Sequence, residues 1–197
     1  MLTNLARKWG ARVVQPIARF LIRLGATPNL ITVLGFILTV GVSVVMAAGY
    51  TQLAAPLLVI ALGFDSLDGT VARLTGAESR FGAFLDSTLD RWAEIAIYLA
   101  LAWFFVHSGQ ENNALLAALA MATSLMVSYT RARAEGIGVP LKEGLLTRLE
   151  RMVILIVGLL FNVLTWALWI IAVLAGVTAV QRILATRRLT QSVDGKS

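Results

Sequence analysis

Two short runs in this chain hold residues whose types and spacing can do chemistry. The first reads Asp65-Ser-Leu-Asp68-Gly69-Thr-Val-Ala72-Arg73 and the second Gly82-Ala-Phe-Leu-Asp86-Ser-Thr-Leu-Asp90. Asp65 and Asp68 are three apart, and Asp86 and Asp90 four apart, so on helices each pair shares one face. Two successive helices joined by a short loop can turn those faces toward each other and bring four carboxylates together. Ionised carboxylates at close quarters repel, and divalent cations are the simplest way to keep them charged. An all-oxygen donor set favours a hard ion, Mg²⁺ or Mn²⁺. Two such ions ~4 Å apart would clamp a pyrophosphate and polarise its phosphorus. Gly69 and Gly82 leave room for a ligand or a facing helix, and Arg73 offers a bidentate phosphate contact. Helix packing by paired polar residues is the plainer explanation. Only Arg73, Arg80 and Arg91 are near enough in sequence to pair with four acids, and intramembrane charges are costly unless they serve a function.

The elements that must position these residues are membrane helices. The chain of 197 residues is 58% hydrophobic and 14% charged, well short of the ~25% charged residues of a soluble domain. It has no cysteine, which excludes disulfides, thiolate metal sites and cysteine nucleophiles. The net charge of +6 in so apolar a chain points to membrane orientation and anionic ligands, not to nucleic acid. Leu5, Trp9, Val13, Ile17, Phe20 and Leu24 recur at helical spacing, flanked by Lys8, Arg12, Arg19 and Arg23. That pattern predicts an amphipathic helix over residues 1–25 lying on an anionic membrane face; a solvated basic arm would carry the same charges. A break follows at Ala26-Thr27-Pro28-Asn29, where Thr27 or Asn29 can cap the next helix. Leu30–Ala48 is then uncharged for 19 residues, enough to cross ~30 Å of hydrocarbon. Further helices are expected from near Gln52 into the aspartate region, from Gly82 to about His107, and from Ala114 to about Ala134. His107 follows Trp103, Phe104 and Phe105 at a membrane exit, where an interfacial role suits it.

Met152–Val180 is uncharged for 29 residues and reads as one long helix or a hairpin. All 17 Lys and Arg fall within 1–23, 73–91, 131–151 and 182–196. By the positive-inside rule these zones are cytoplasmic, which requires an even number of spans and a turn near Asn162–Thr165. The expected fold is therefore an all-α integral membrane protein. Six transmembrane helices, within residues 26–190, follow the amphipathic juxtamembrane helix and precede a cytoplasmic tail, 191–197. The expected location is the cell inner membrane, with both termini and the active site cytoplasmic.

Asp65 to Asp90 reads D-x2-D-G-x2-A-R-x8-G-x3-D-x3-D, which resembles the signature of the CDP-alcohol phosphatidyltransferase family at all of its fixed positions. The resemblance extends over nearly the whole chain and implies a six-span homodimeric enzyme with Mg²⁺ or Mn²⁺, two ions in all. It implies metal binding by Asp65, Asp68, Asp86 and Asp90, with Asp90 also the base that takes the acceptor hydroxyl proton. It further implies that Gly69, Arg73 and Ser79 hold the cytidine diphosphate of a CDP-lipid. Asn29, Leu30, Ile31 and Thr32 resemble a second nucleotide-contacting segment; for Asn29 a helix-cap role competes.

The acceptor must be sought elsewhere. Ser128-Tyr129-Thr130-Arg131-Ala132-Arg133-Ala134-Glu135 leaves a membrane helix at its basic end, and Arg148-Leu149-Glu150-Arg151 opens the next. With Arg182, these five arginines suit a phosphate-binding cage, which free inositol or glycerol would not need; each is also a positive-inside anchor. Within the family the pattern is most similar to prokaryotic phosphatidylinositol phosphate synthases, which carry S-Y-x-K-A-R-A-E and then R-x-E-R; here Arg131 replaces the lysine. That similarity implies inositol 1-phosphate, bound by Ser128, Arg131, Arg133, Arg148, Arg151 and Arg182. Glycerol 3-phosphate is the alternative acceptor. A divalent-cation transporter is the competing class, but the acids sit toward one end of their helices and no repeat-related set recurs in the second half.

Overall fold

The computed structural model describes residues 14–141 and 144–194, and these hold seven helices and no strand. Helix α1 comprises residues 14–23. It is followed by α2 (Pro28–Ala47), α3 (Thr51–Thr75), α4 (Arg80–His107), α5 (Glu111–Gly136), α6 (Arg148–Leu160) and α7 (Leu164–Asp194). Four of them, α2, α3, α5 and Leu164–Gln191 of α7, are long and apolar enough to cross a membrane. Their outward faces keep large apolar side chains, among them Ile37, Ile60, Leu119 and Trp169. Helices apolar on both packed and outward faces belong in lipid, so the chain is an integral membrane protein. At 28 residues α4 has the length, but Asp86, Asp90 and Arg91 lie in its first half and Glu94 opens its second. At 13 residues α6 rises only ~20 Å.

Helix ends follow local chemistry. Gly25 takes φ 77° and closes α1, with the Ala26 N–H donating to Leu21 O at 3.0 Å. The Leu30 N–H then donates to Thr27 Oγ1 at 3.3 Å, so Thr27 is the cap of α2 with Pro28 at its first position. Ser79 caps α4 through the Gly82 N–H at 2.9 Å, which starts that helix at Arg80, slightly before its expected beginning. The expected hairpin in the long apolar run turns at residues 161–163, where Asn162 has φ 57°, a left-handed conformation asparagine tolerates. Helix α7 runs on to Asp194, so the first residues of the expected tail are helical.

The chain forms two compact units. One is built from the segments up to Val44 and Pro56–Ile97, the other from Val45–Ala55 and the chain from Tyr98 onward. In the first, Ala18 of α1 is buried with Ile31 of α2 and with Leu67 and Val71 of α3, flanked by Val14, Leu21 and Ile22. The expected stripe on α1 lies elsewhere: Ile17, Phe20 and Leu24 are exposed, while Leu5, Trp9 and Val13, like Lys8 and Arg12, lie outside the described residues. Helix α1 thus has two apolar faces, one docked and one open.

In the second unit α7 packs along α5 and against α6. Gly158 makes the α6–α7 contact possible, because a Cβ there would stand 2.5 Å from the Ala167 Cβ. Gly158→Ala is expected to destabilise the protein by about 1–3 kcal/mol despite alanine's better helix propensity. Thermal unfolding in detergent checks this; an unchanged midpoint would mean that the two helices separate at no cost.

Candidate active site

The carboxylate site lies wholly within the first unit. Asp65 and Asp68 stand one turn apart near the end of α3, and the Thr75–Ser79 connection reverses the chain into α4. Gly76 at φ 65° and the Ala77 N–H donating to Ala72 O at 3.0 Å make that reversal tight. Asp86 and Asp90 then return on one face of α4. Carboxylate oxygens of Asp65, Asp86 and Asp90 all lie within 4.8 Å of one another. Asp65 is exposed and the other two are partly buried. Arg91 Nη1 lies 3.5 Å from Asp90 Oδ2 and also donates to Ser87 O at 3.0 Å. Three acids so close fit a hard divalent cation by donor type, charge and separation.

Asp68 behaves differently. It is 7% exposed, accepts the Thr32 hydroxyl at 2.8 Å, and also accepts the Gly69 N–H. Asp68 therefore ties α3 to α2 beside the three-carboxylate group.

Asp68 and Asp86 also line a pocket of about 220 Å³. One wall is the start of α2, with Pro28, Asn29 and Thr32. A second is α3, with Gly69, Ala72 and Arg73; the loop adds Ala77, Glu78 and Ser79, and α4 adds Gly82 and Ala83. Of the two glycines, Gly82 answers to a close approach and Gly69 to an ordinary contact with a flexible side chain. A Cβ on Gly69 would lie 3.4 Å from Arg73 Nη1, and one on Gly82 would lie 3.0 Å from Ser79 Oγ and 3.2 Å from Asn29 Oδ1. Arg73 is steadied by Thr70, whose Oγ1 accepts from Nη2 at 3.2 Å. Since Thr27 caps α2, the Asn29 side chain is left to the pocket. Of the expected nucleotide residues, Asn29, Thr32, Gly69, Arg73 and Ser79 come together here. Leu30 and Ile31 do not: Leu30 points outward at 48% exposure, and Ile31 is in the core at 1%. Sequence reasoning missed Pro28, Ala77, Glu78 and Ala83, which carry no fixed spacing to betray them.

The expected acceptor residues lie in the second unit, and they divide. Arg151 and Arg182 are buried, at 0% and 6% exposure. Arg182 donates to Val127 O, beside Ser128, which is partly buried. Gly144, at φ 146°, presses its backbone on this side chain, since a Cβ there would lie 3.1 Å from Arg182 Nε. The Glu150 carboxylate accepts the Thr147 N–H, half of a capping box that sets Arg148 and Arg151 on the first turns of α6. Arg131 and Arg133 are exposed at the end of α5, and Arg131 pairs with Glu135 at 2.9 Å.

Residues 25–181 match the sequence model of the CDP-alcohol phosphatidyltransferase family. Phosphatidylinositol phosphate synthase of Streptomyces avermitilis is 39% identical over 210 residues, covering 98% of this chain and 86% of the relative. The Corynebacterium glutamicum protein of the same name is 37% identical over 192 residues, covering 93% and 88%. Among solved structures, Mycobacterium tuberculosis phosphatidylinositol phosphate synthase with CDP-DAG bound aligns with a TM-score of 0.85 at 33% identity, covering 89% of this chain and 94% of that one. The same enzyme in complex with manganese and citrate aligns at 0.84 and 32% identity, with 88% of each chain covered.

Gly82→Ala should push Asn29 and Ser79 out of place while leaving the aspartate side chains intact. CMP affinity is then expected to fall about tenfold, the worth of one hydrogen bond, with Mn²⁺ affinity unchanged. Titration of both ligands into the purified variant measures this, and undiminished CMP binding would take the Gly82 contact out of the site.

Proposed function

The chain belongs to the CDP-alcohol phosphatidyltransferase family, and from that membership we propose that it transfers a phosphatidyl group from CDP-diacylglycerol to inositol 1-phosphate. The products are phosphatidylinositol phosphate and CMP. The observation that carries the donor half is the adjacency of three convergent carboxylates to the pocket lined by Asn29, Thr32, Gly69, Arg73 and Ser79. The relative solved with CDP-DAG bound, similar over most of its length, supports the same donor.

Asp65, Asp86 and Asp90 hold Mg²⁺ or Mn²⁺, two ions in all, with Asp68 completing the set from its hydrogen-bonded position. A hard divalent cation bound there neutralises the pyrophosphate and makes its phosphorus more electrophilic. Arg73 holds a phosphate oxygen with its forked guanidinium, while Ser79 and Asn29 contact the nucleotide. Asp90 accepts the proton of the acceptor hydroxyl. That oxygen forms a bond to the β-phosphorus as the bond from this phosphorus to the bridging oxygen breaks, and CMP leaves with the bond's electron pair. The reaction needs no covalent enzyme intermediate.

The acceptor phosphate is bound by Ser128, Arg131, Arg133, Arg148, Arg151 and Arg182. Two of these guanidinium groups, Arg151 and Arg182, sit in low-dielectric surroundings, where attraction for an anion is strongest. The basic zones at 1–23, 73–91, 131–151 and 182–196 support a six-span plan preceded by the amphipathic helix. They also support cytoplasmic termini and a cytoplasmic active site in the inner membrane. A homodimer is part of the same reading, by family analogy.

CMP release by the purified chain, with CDP-diacylglycerol and Mg²⁺, tests the reaction across inositol 1-phosphate, glycerol 3-phosphate, inositol, glycerol and serine. Inositol 1-phosphate is expected to give the highest kcat/KM. Turnover with glycerol 3-phosphate alone would make the product phosphatidylglycerol phosphate, and silence with every acceptor would end the transferase reading. Asp90→Asn should lower kcat by about 10²–10⁴-fold while CDP-lipid still binds; near-normal turnover would remove Asp90 from the proton-accepting role.

A further inference from the structure

A pocket that receives a diphosphate has little use for extra negative charge away from its metal ligands, yet Glu78 lines this one. It sits in the α3–α4 connection, exposed to solvent, with no ion-pair or hydrogen-bond partner among the described residues. Its carboxylate is outside the group of acids able to share a cation. A carboxylate on a residue that lines the pocket can meet a ligand only as a hydrogen-bond acceptor. The ligand must therefore offer a donor at that end.

Position decides which donor. Asp86 marks the metal end of the pocket, and α4 runs back from it through Gly82 to Arg80, six residues or ~9 Å of helix rise. Glu78 lies two residues before Arg80, at the opposite end from the aspartates. With the reacting phosphorus at the carboxylates, the intervening length is taken up by pyrophosphate and ribose, and the base reaches Glu78. Cytosine presents one exocyclic amino group, a donor that Glu or Asp side chains accept. Uracil presents an acceptor carbonyl at the same place, which a carboxylate repels.

We propose that Glu78 selects the nucleobase of the donor, accepting a hydrogen bond from the cytosine amino group and rejecting uracil. The proposal rests on the reading of this pocket as the CDP-lipid site and deepens it. Glu78 is a specificity residue here, with no part in the chemical step. The amide of a glutamine can turn its NH₂ toward uracil O4, so Glu78→Gln tests the discrimination without emptying the space.

The experiment is calorimetric titration of the full-length protein in Mg²⁺-containing detergent with CMP, UMP and dCMP, for wild type, Glu78→Gln and Glu78→Ala. Wild type is expected to favour CMP over UMP by about tenfold or more, the usual worth of one good base contact. Glu78→Gln should reduce that ratio by about tenfold, chiefly by gaining affinity for UMP, and Glu78→Ala should weaken CMP without weakening UMP. An unchanged CMP-to-UMP ratio in both variants overturns the proposal while leaving the donor pocket standing. A changed CMP-to-dCMP ratio with base preference intact also overturns it, by moving the carboxylate to the ribose. Failure of wild type to bind any of the three nucleotides would defeat the pocket reading itself, and the proposal with it.

Discussion

Mutual repulsion among the carboxylates of Asp65, Asp86 and Asp90 is the constraint on which the rest of this structure depends. Their oxygens lie within 4.8 Å of one another, on helices otherwise built for hydrocarbon. At that separation each charge disfavours the others, and partial burial strengthens the effect. Such an arrangement needs neighbouring structure to hold it, and it suits a cation. The sharp α3–α4 reversal, the Ser79 cap and the one-turn spacing on each helix supply the holding. A divalent cation bound there would supply the compensation and, with it, the means to activate a pyrophosphate.

Around that centre, the fixed residues of the motif have separate physical tasks. Asp68 takes the Thr32 hydroxyl and the Gly69 N–H, which ties α3 to α2 at the pocket wall. Gly69 leaves space for the Arg73 guanidinium, and Gly82 leaves space for Asn29 and the capping Ser79. Replacing Gly82 changes the pocket without touching an aspartate. In the second unit a similar economy holds. Gly144 presses on Arg182, and Glu150 orders the first turn of α6, so three arginines are positioned by residues that carry no positive charge themselves.

Much of this was legible in the sequence because its signals are periodic. Charge-free runs and basic zones mark the helices and the turn at residues 161–163, and three- and four-residue spacings mark the shared faces of the aspartates. What escaped depends on choices between neighbours. Thr27 and Asn29 are both good caps, and only the chain path shows that Thr27 takes the role and frees Asn29. Ile31 lies between two pocket residues, yet helical rotation turns it into the core with Ala18, Leu67 and Val71. The arginines look alike as letters, but Arg151 and Arg182 are buried while Arg131 is exposed against Glu135. Ile17, Phe20 and Leu24 were readable as a stripe, whereas the docked face of α1 was not, because small and apolar residues occupy both sides.

The central claim is that the three converging carboxylates exist to bind a divalent cation. Electron paramagnetic resonance of Mn²⁺ titrated into the purified protein tests it most directly, comparing wild type with the Asp65→Asn/Asp86→Asn double variant. The account predicts saturable binding in wild type and affinity at least about 100-fold lower in the double variant, with the helical fold retained by circular dichroism. Equal Mn²⁺ affinity in the two folded proteins would contradict it.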